Sequence, residues 1–306
     1  MLPSQPEFLT PTPPPVPSTR IPVAWKLRDI VFVVVMPVVS AVLLGIAGVV
    51  LLGSGSDDPL REVTRRLRTD TLTIGMLVTA GLYGLFLAAI ALVLRHRRAR
   101  WTAVGVRRPP LLPFVLLPVI FFVQLFAVTA TNAVVMTATG NFQNPQIEAL
   151  TQGEDFGDTP QSNAAATPVP SEGDAAAPEA DAGQSFSALE QPFVLSRFLL
   201  ILLVVGVFAP IVEELLFRGL LFGWLRAHLP LWVAVVLSAA LFSAAHVIPL
   251  LFPALFAAGL VWALVYQWSG SIWTTALLHM GQNSLAVFTL FVLLPALQQR
   301  GLIPQP

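Results

Sequence analysis

The chain has 306 residues, 55% of them hydrophobic and 11% charged, with a mean hydropathy of +0.75. Soluble domains carry about a quarter charged residues, so this composition excludes a water-soluble globule and describes a polytopic helical membrane protein. Acids and bases balance at 17 each, which argues against a nucleic-acid partner, and the absence of cysteine removes disulfides, thiolate metal sites and a cysteine nucleophile.

Residues 1–22 are crowded with proline, which lacks an amide donor and resists helix, so a disordered or polyproline-type tail is expected over 1–26. Three apolar runs follow within 27–139: about Val31 to Leu52, Leu72 to Leu94 and Leu111 to Met136. Each is long enough to span a bilayer, and Pro37 in the first predicts a kink that a membrane helix tolerates. The second ends at Arg95-His96-Arg97-Arg98-Ala99-Arg100, which with Arg107 and Arg108 forms the most basic loop of the chain. His96 there reads as a solvated loop residue. Between Gly140 and Gln191 the composition turns to Ala, Pro, Gly, Ser and acids, with no Lys or Arg. Such a segment cannot bury enough apolar area to offset its ordering entropy, so residues 140–192 are expected to be mostly disordered. The stretches 142–150 and 185–192, which contain Phe142, Ile147, Leu150, Phe186 and Leu189, are the exceptions expected to order as a short cover.

Four more apolar segments fill 193–297: about 193–226, 231–248, 253–268 and 271–297, with a short tail over 298–306. Trp224, Trp232, Trp262, Trp268 and Trp273 mostly fall near their ends, as interface anchors do. The fold class is thus all-α, a transmembrane bundle of about seven spans. The basic 95–108 loop is expected to face the cytoplasm and the acidic insert to face away, which puts the amino terminus inside and the carboxy terminus outside. The 53–70 loop then lies outside with four arginines, against the rule.

Ionisable groups well inside these spans are few: Glu213, Glu214, Arg218, His246 and His279. A charge at the bilayer centre costs about 2.5–3.5 kcal/mol on insertion scales, so each needs a reason. Glu214 and Arg218 stand four apart and share a helix face, where the simplest reading is an ion pair that neutralises both. Glu213 points about 100° away on an ideal helix and has no local cation. A carboxylate in an apolar setting is the disposition that makes a general base near neutral pH. His246 follows Phe242-Ser243-Ala244-Ala245, small residues that permit close helix approach, and His279 shares a face with Asn283. Either histidine alone reads as an interhelical hydrogen bond; together, Glu, His, His and Asn on three spans predict a wet cavity inside the bundle.

Elimination narrows the chemistry. The chain has no His-Glu-x-x-His, no Gly-x-Ser-x-Gly elbow, no intramembrane aspartate pair and no phosphate-cradling glycine loop. What is left, a carboxylate and imidazoles to activate water with His and Asn to donate to an oxyanion, suits amide hydrolysis.

Glu213-Glu214-x-x-x-Arg218, Phe242-x-x-x-His246 and His279-x-x-x-Asn283, in that order on successive spans, resemble the signature of the CPBP family. These are the CAAX protease and bacteriocin-processing proteins, also called Abi, which include the type II CAAX prenyl endopeptidases. Gly270-Ser271-Ile272-Trp273 resembles the usual lead-in to the third motif, and the likeness covers about residues 195–297. It implies an intramembrane endopeptidase acting on a membrane protein or lipidated peptide in the bilayer. Carried over, Glu213 is the base with His246 its partner, His279 and Asn283 form the oxyanion site, and Glu214, Arg218 and Phe242 support them. A Glu213/His246/His279 triad could also bind zinc; the metal-free reading is preferred, since asparagine is a poor zinc ligand and a good oxyanion donor. Some relatives act without demonstrated proteolysis, which keeps a membrane scaffold or bacteriocin-immunity-type protein as the alternative. A proton-coupled transporter using the buried Glu and His as a relay is a third. The Arg-heavy, Ala/Val-rich composition has a bacterial look, so a bacterial cell membrane is the expected location.

Overall fold

A computed structural model describes residues 23–52, 71–139 and 195–302. The proline-rich stretch 1–22, the 53–70 loop and the acidic insert, with its expected cover segments 142–150 and 185–192, lie outside the described residues. Seven principal helices make up the fold: α1 Leu27–Leu52, α2 Thr71–His96, α3 Leu117–Thr139, α4 Leu195–His228, α5 Leu231–Ala244, α6 Phe252–Ser269 and α7 Ile272–Gln299. No strand occurs among the described residues. All but α5 are long and apolar enough to cross a membrane, so six of the expected spans are full length.

The exception, α5, has 14 residues. At 1.5 Å per residue it rises about 21 Å, short of the roughly 30 Å hydrocarbon core. It ends at Ala244, the chain turns through Ala245 and His246, and Val247 takes a left-handed φ of 59°. His246, expected inside a span, therefore stands just past a helix end. Irregular backbone at membrane depth is tolerated where it lines a cavity or is buried in protein, so the early stop is itself a pointer to a site.

The long helix α4 carries the Glu-Glu stretch in its middle. Ala209–Glu214 is α-helical, but the flanking Leu202–Phe208 and Leu215–Phe222 are wound as π-helix. The wider winding re-registers side chains and carbonyls and recurs at functional sites. Small residues bring neighbours close to it. A Cβ on Gly219 would sit 2.8 Å from the Val104 carbonyl oxygen, and one on Gly206 3.0 Å from Ser284 Oγ.

One fastening holds the amino-terminal helices to this core and a second ties them to each other. Trp25, placed by sequence in the tail, is 3% exposed and donates its indole N–H to the Leu220 carbonyl at 2.9 Å. The structured chain thus begins before α1, and the expected tail ends short of residue 26. Asp29, at the start of α1, accepts a two-pronged hydrogen bond from Arg97 at 2.8 and 2.9 Å, tying it to the end of α2. The loop after α2 docks at the other side of the site. Gly105 accepts from the Ile272 amide at 3.0 Å, and Ser271 Oγ donates to the Arg107 carbonyl at 2.6 Å while capping α7. Gly270-Ser271 is therefore a helix stop and start: Gly270 takes φ 61°, which suits a residue without Cβ, and Ser271 satisfies the first turn of α7.

Because Gly219 meets backbone rather than a flexible side-chain end, Gly219→Ala should force α4 away from the 101–108 loop. A loss on the order of 1–3 kcal/mol is expected, read as an earlier unfolding midpoint in detergent. An unchanged midpoint would show that the contact is loose.

Candidate active site

Glu214 and Arg218 form the predicted pair: Arg218 Nη1 donates to Glu214 Oε1 at 3.0 Å, and both side chains are fully buried. Bare burial of two charges is costly, and further contacts offset it. The guanidinium lies 4.6 Å from the Phe242 ring centre and 5.2 Å from that of Trp262, and Nη2 reaches the Gly259 carbonyl at 3.4 Å. Glu214 Oε1 also faces His279 Nδ1 at 3.1 Å. An ionised carboxylate can only accept, so this nitrogen is the donor and the opposite ring nitrogen, Nε2, is turned toward the site.

Glu213 is the more exposed acid of the two, its side chain 12% accessible. Its Oε2 lies 3.6 Å from His279 Nε2 and has no hydrogen-bond partner among the described residues. Oε1 accepts a hydrogen bond from the Tyr83 hydroxyl of α2. The imidazole thus stands between the two adjacent carboxylates, oriented by Glu214 and facing Glu213.

His246 is placed differently from the expectation that it partners Glu213. Among the described residues it makes neither an ion pair nor a hydrogen bond with that carboxylate. Its Nδ1 donates to the Phe242 carbonyl at 2.9 Å, and its ring meets the Phe242 ring edge-on at 4.9 Å. A carbonyl accepts only, so the neutral ring has its lone pair on Nε2. Asn283 anchors α7 to α4, its Nδ2 donating to the Val205 carbonyl at 3.0 Å within the first π-helical stretch. One amide hydrogen of Asn283 remains for another acceptor.

Phe242 explains its place in the second motif. Its ring touches Phe217, His246, Trp262 and His279 at centroid distances of 5.1, 4.9, 5.4 and 5.7 Å. It is the hinge of an aromatic box around Arg218 and both histidines. Trp262, expected at an interface, is instead 0% exposed and stacks on His279 at 4.1 Å. Trp262 Nε1 donates to Gln124 Oε1 at 2.6 Å, and Gln124 Nε2 donates in turn to Gln282 Oε1. A cavity of about 420 Å³ opens where α5 ends, lined by Ser243, Ala244, Val247, Ile248, Pro249, Phe252 and Pro253.

Sequence reasoning does not single out Tyr83 and Gln124, although each is a strong hydrogen-bonding group in an apolar span. A search for uncharged polar residues inside spans would have found them. A zinc site from Glu213, His246 and His279 would need three donors about 2.0–2.2 Å from one point. Among the described residues no group of three such side chains is placed to hold an ion. What the arrangement offers is a carboxylate oxygen without a donor, two oriented imidazoles and an asparagine amide.

Residues 195–285 match the family model for the type II CAAX prenyl endopeptidase Rce1-like proteins. The matched segment runs from the start of α4 past Asn283 and takes in all three motifs. No curated protein and no solved structure matches the chain.

Arg218→Met should cost about 3–5 kcal/mol, because it leaves Glu214 charged and buried without its cation. The double substitution Glu214→Gln/Arg218→Met should recover most of that loss in a detergent unfolding titration. Equal destabilisation by both would show that Arg218 acts through packing alone.

Proposed function

From the membership of residues 195–285 in the Rce1-like family of type II CAAX prenyl endopeptidases, we propose that the chain is an intramembrane endopeptidase in which Glu213 is the general base. The observation that carries this is the asymmetry of the acid pair. Glu214 is fully buried and met by Arg218 and the His279 Nδ1–H on its Oε1, whereas Glu213 is 12% accessible, accepts no hydrogen bond from a cation, and faces His279 Nε2 with an oxygen that has no donor. A base needs a free oxygen within reach of the water it deprotonates.

In the reaction a water O–H bond breaks, its proton passes to Glu213, and the hydroxide oxygen attacks the scissile carbonyl carbon. Negative charge then develops on the carbonyl oxygen. His279 Nε2 and the second amide hydrogen of Asn283 are the donors for that oxyanion. For Nε2 to donate while Nδ1 donates to Glu214, both ring nitrogens of His279 carry a proton in this step. The Nε2 lone pair of His246 serves the base from the other wall of the site once substrate is bound, and the collapsing intermediate takes its proton back onto the leaving nitrogen. No metal enters this sequence.

The substrate class follows from the setting. An amide cleaved here must be brought to membrane depth by its own apolar segment or by an attached lipid. The cavity at the end of α5, with Val247, Ile248, Phe252 and two prolines on its walls, suits such an aliphatic chain. We place the protein in a bacterial cell membrane with its amino terminus and 95–108 loop in the cytoplasm.

Purified protein in detergent should cleave membrane-anchored or lipidated peptide reporters. Glu213→Ala should lower kcat by at least about 10²–10⁴-fold, the usual worth of a general base. Asn283→Ala should cost about 10²–10³-fold, the usual worth of an oxyanion donor. Strong chelators should leave the rate unchanged. Full activity in Glu213→Ala, or chelator inhibition reversed by zinc, would overturn the mechanism.

A further inference from the structure

Tyr83 lies in α2, well outside the matched segment, and no motif points to it. Its ring is set by two aromatic contacts, with Phe86 at 6.3 Å and Phe208 at 6.4 Å between centroids. Those contacts would hold a phenylalanine equally well. What the hydroxyl adds is one hydrogen bond, donated across helices to Oε1 of Glu213.

The direction of that bond matters. An ionised carboxylate is acceptor-only, so Tyr83 must donate, and an oxygen that already accepts a strong bond is the poorer proton acceptor of the two. Glu213 Oε1 is thereby occupied, while Oε2 is buried, has no hydrogen-bond partner and faces His279 Nε2 at 3.6 Å. A glutamate has three side-chain torsions, and nothing else among the described residues makes a hydrogen bond to this carboxylate. Without the tyrosine the group is free to turn about its terminal bond and to present either oxygen.

We propose that Tyr83 is a positioning residue of the active site: its hydroxyl holds Oε1 of Glu213, so that Oε2 is the oxygen that receives the proton of the attacking water. The inference rests on the reading of Glu213 as the base. It makes α2 part of the reaction centre, so the segment that carries the family motifs is catalytically incomplete without the amino-terminal helices. Misplacement of a reacting group by about 1 Å can cost on the order of 10²-fold in rate.

The test compares Tyr83→Phe with Phe86→Leu, which alters the packing of the ring but keeps the hydroxyl, using the full chain in detergent and a lipidated peptide reporter. Tyr83→Phe should lower kcat on the order of 10–100-fold with KM changed less than about twofold, the signature of an interaction used in the transition state. Phe86→Leu should keep kcat near the wild-type value. If Glu213→Ala is inactive while Tyr83→Phe keeps full kcat, the role of Tyr83 is refuted and the base stands. If Glu213→Ala is fully active, the base itself is refuted. A second readout needs no turnover. The chain has only two tyrosines, so a Tyr266→Phe protein reports Tyr83 alone by resonance Raman. Its phenol C–O band should shift on adding Glu213→Gln. An unmoved band would overturn the proposal even if Tyr83→Phe fails to fold.

Discussion

Two adjacent glutamates can share the interior of an apolar bundle only if their charges are met there, and most of the packing answers that demand. Arg218 meets Glu214 from one helical turn along α4, at 3.0 Å and out of contact with solvent. The pair alone would not offset the desolvation of two ions. It is completed by the rings of Phe242 and Trp262 on the guanidinium, the Gly259 carbonyl, and the His279 N–H on the carboxylate. These come from α5, α6 and α7, so satisfying one ion pair of α4 fixes the four helices against each other. Glu213 is left without a hydrogen-bonded cation and with the more accessible side chain of the two.

The same constraint accounts for the irregular backbone. Two π-helical stretches in α4 bracket the glutamates, and one of them offers the Val205 carbonyl to Asn283. The early end of α5 sets the His246 ring against Phe242 of the aromatic box, where a full-length span would have continued past it.

The sequence made the centre of the site legible and its surroundings much less so. Charges in an apolar span are costly enough to stand out, which exposed Glu213, Glu214 and Arg218, and the four-residue spacing foretold the ion pair that is found. His279 and Asn283 could be placed on one face of α7 by the same counting. Tyr83 and Gln124 were not visible in this way. A hydroxyl or an amide is cheap inside a span, and what gives each its meaning is a partner 130 or more residues away. The same holds for Trp25 and Trp262 as core residues. Tryptophan suits both interfaces and cores, and only the Leu220 carbonyl and the His279 ring decide which. Hydrophobicity located the spans but could not tell a face turned to lipid from one turned to a neighbour, nor foresee that α5 stops at Ala244.

The amino-terminal helices emerge as more than an anchor. Trp25 and the 101–108 loop fasten them to α4 and to the start of α7, while Tyr83 reaches Glu213 and Gln124 reaches Trp262 and Gln282. The family match covers only α4 to α7, yet the site it marks is assembled from both halves. The central claim, that Glu213 drives hydrolysis of membrane proteins, is tested most directly by mapping protein termini in membranes of cells that carry either wild type or Glu213→Gln. The account predicts a set of new termini, adjoining apolar or lipidated segments, that is present with wild type and absent with the variant. Identical termini in both would contradict it.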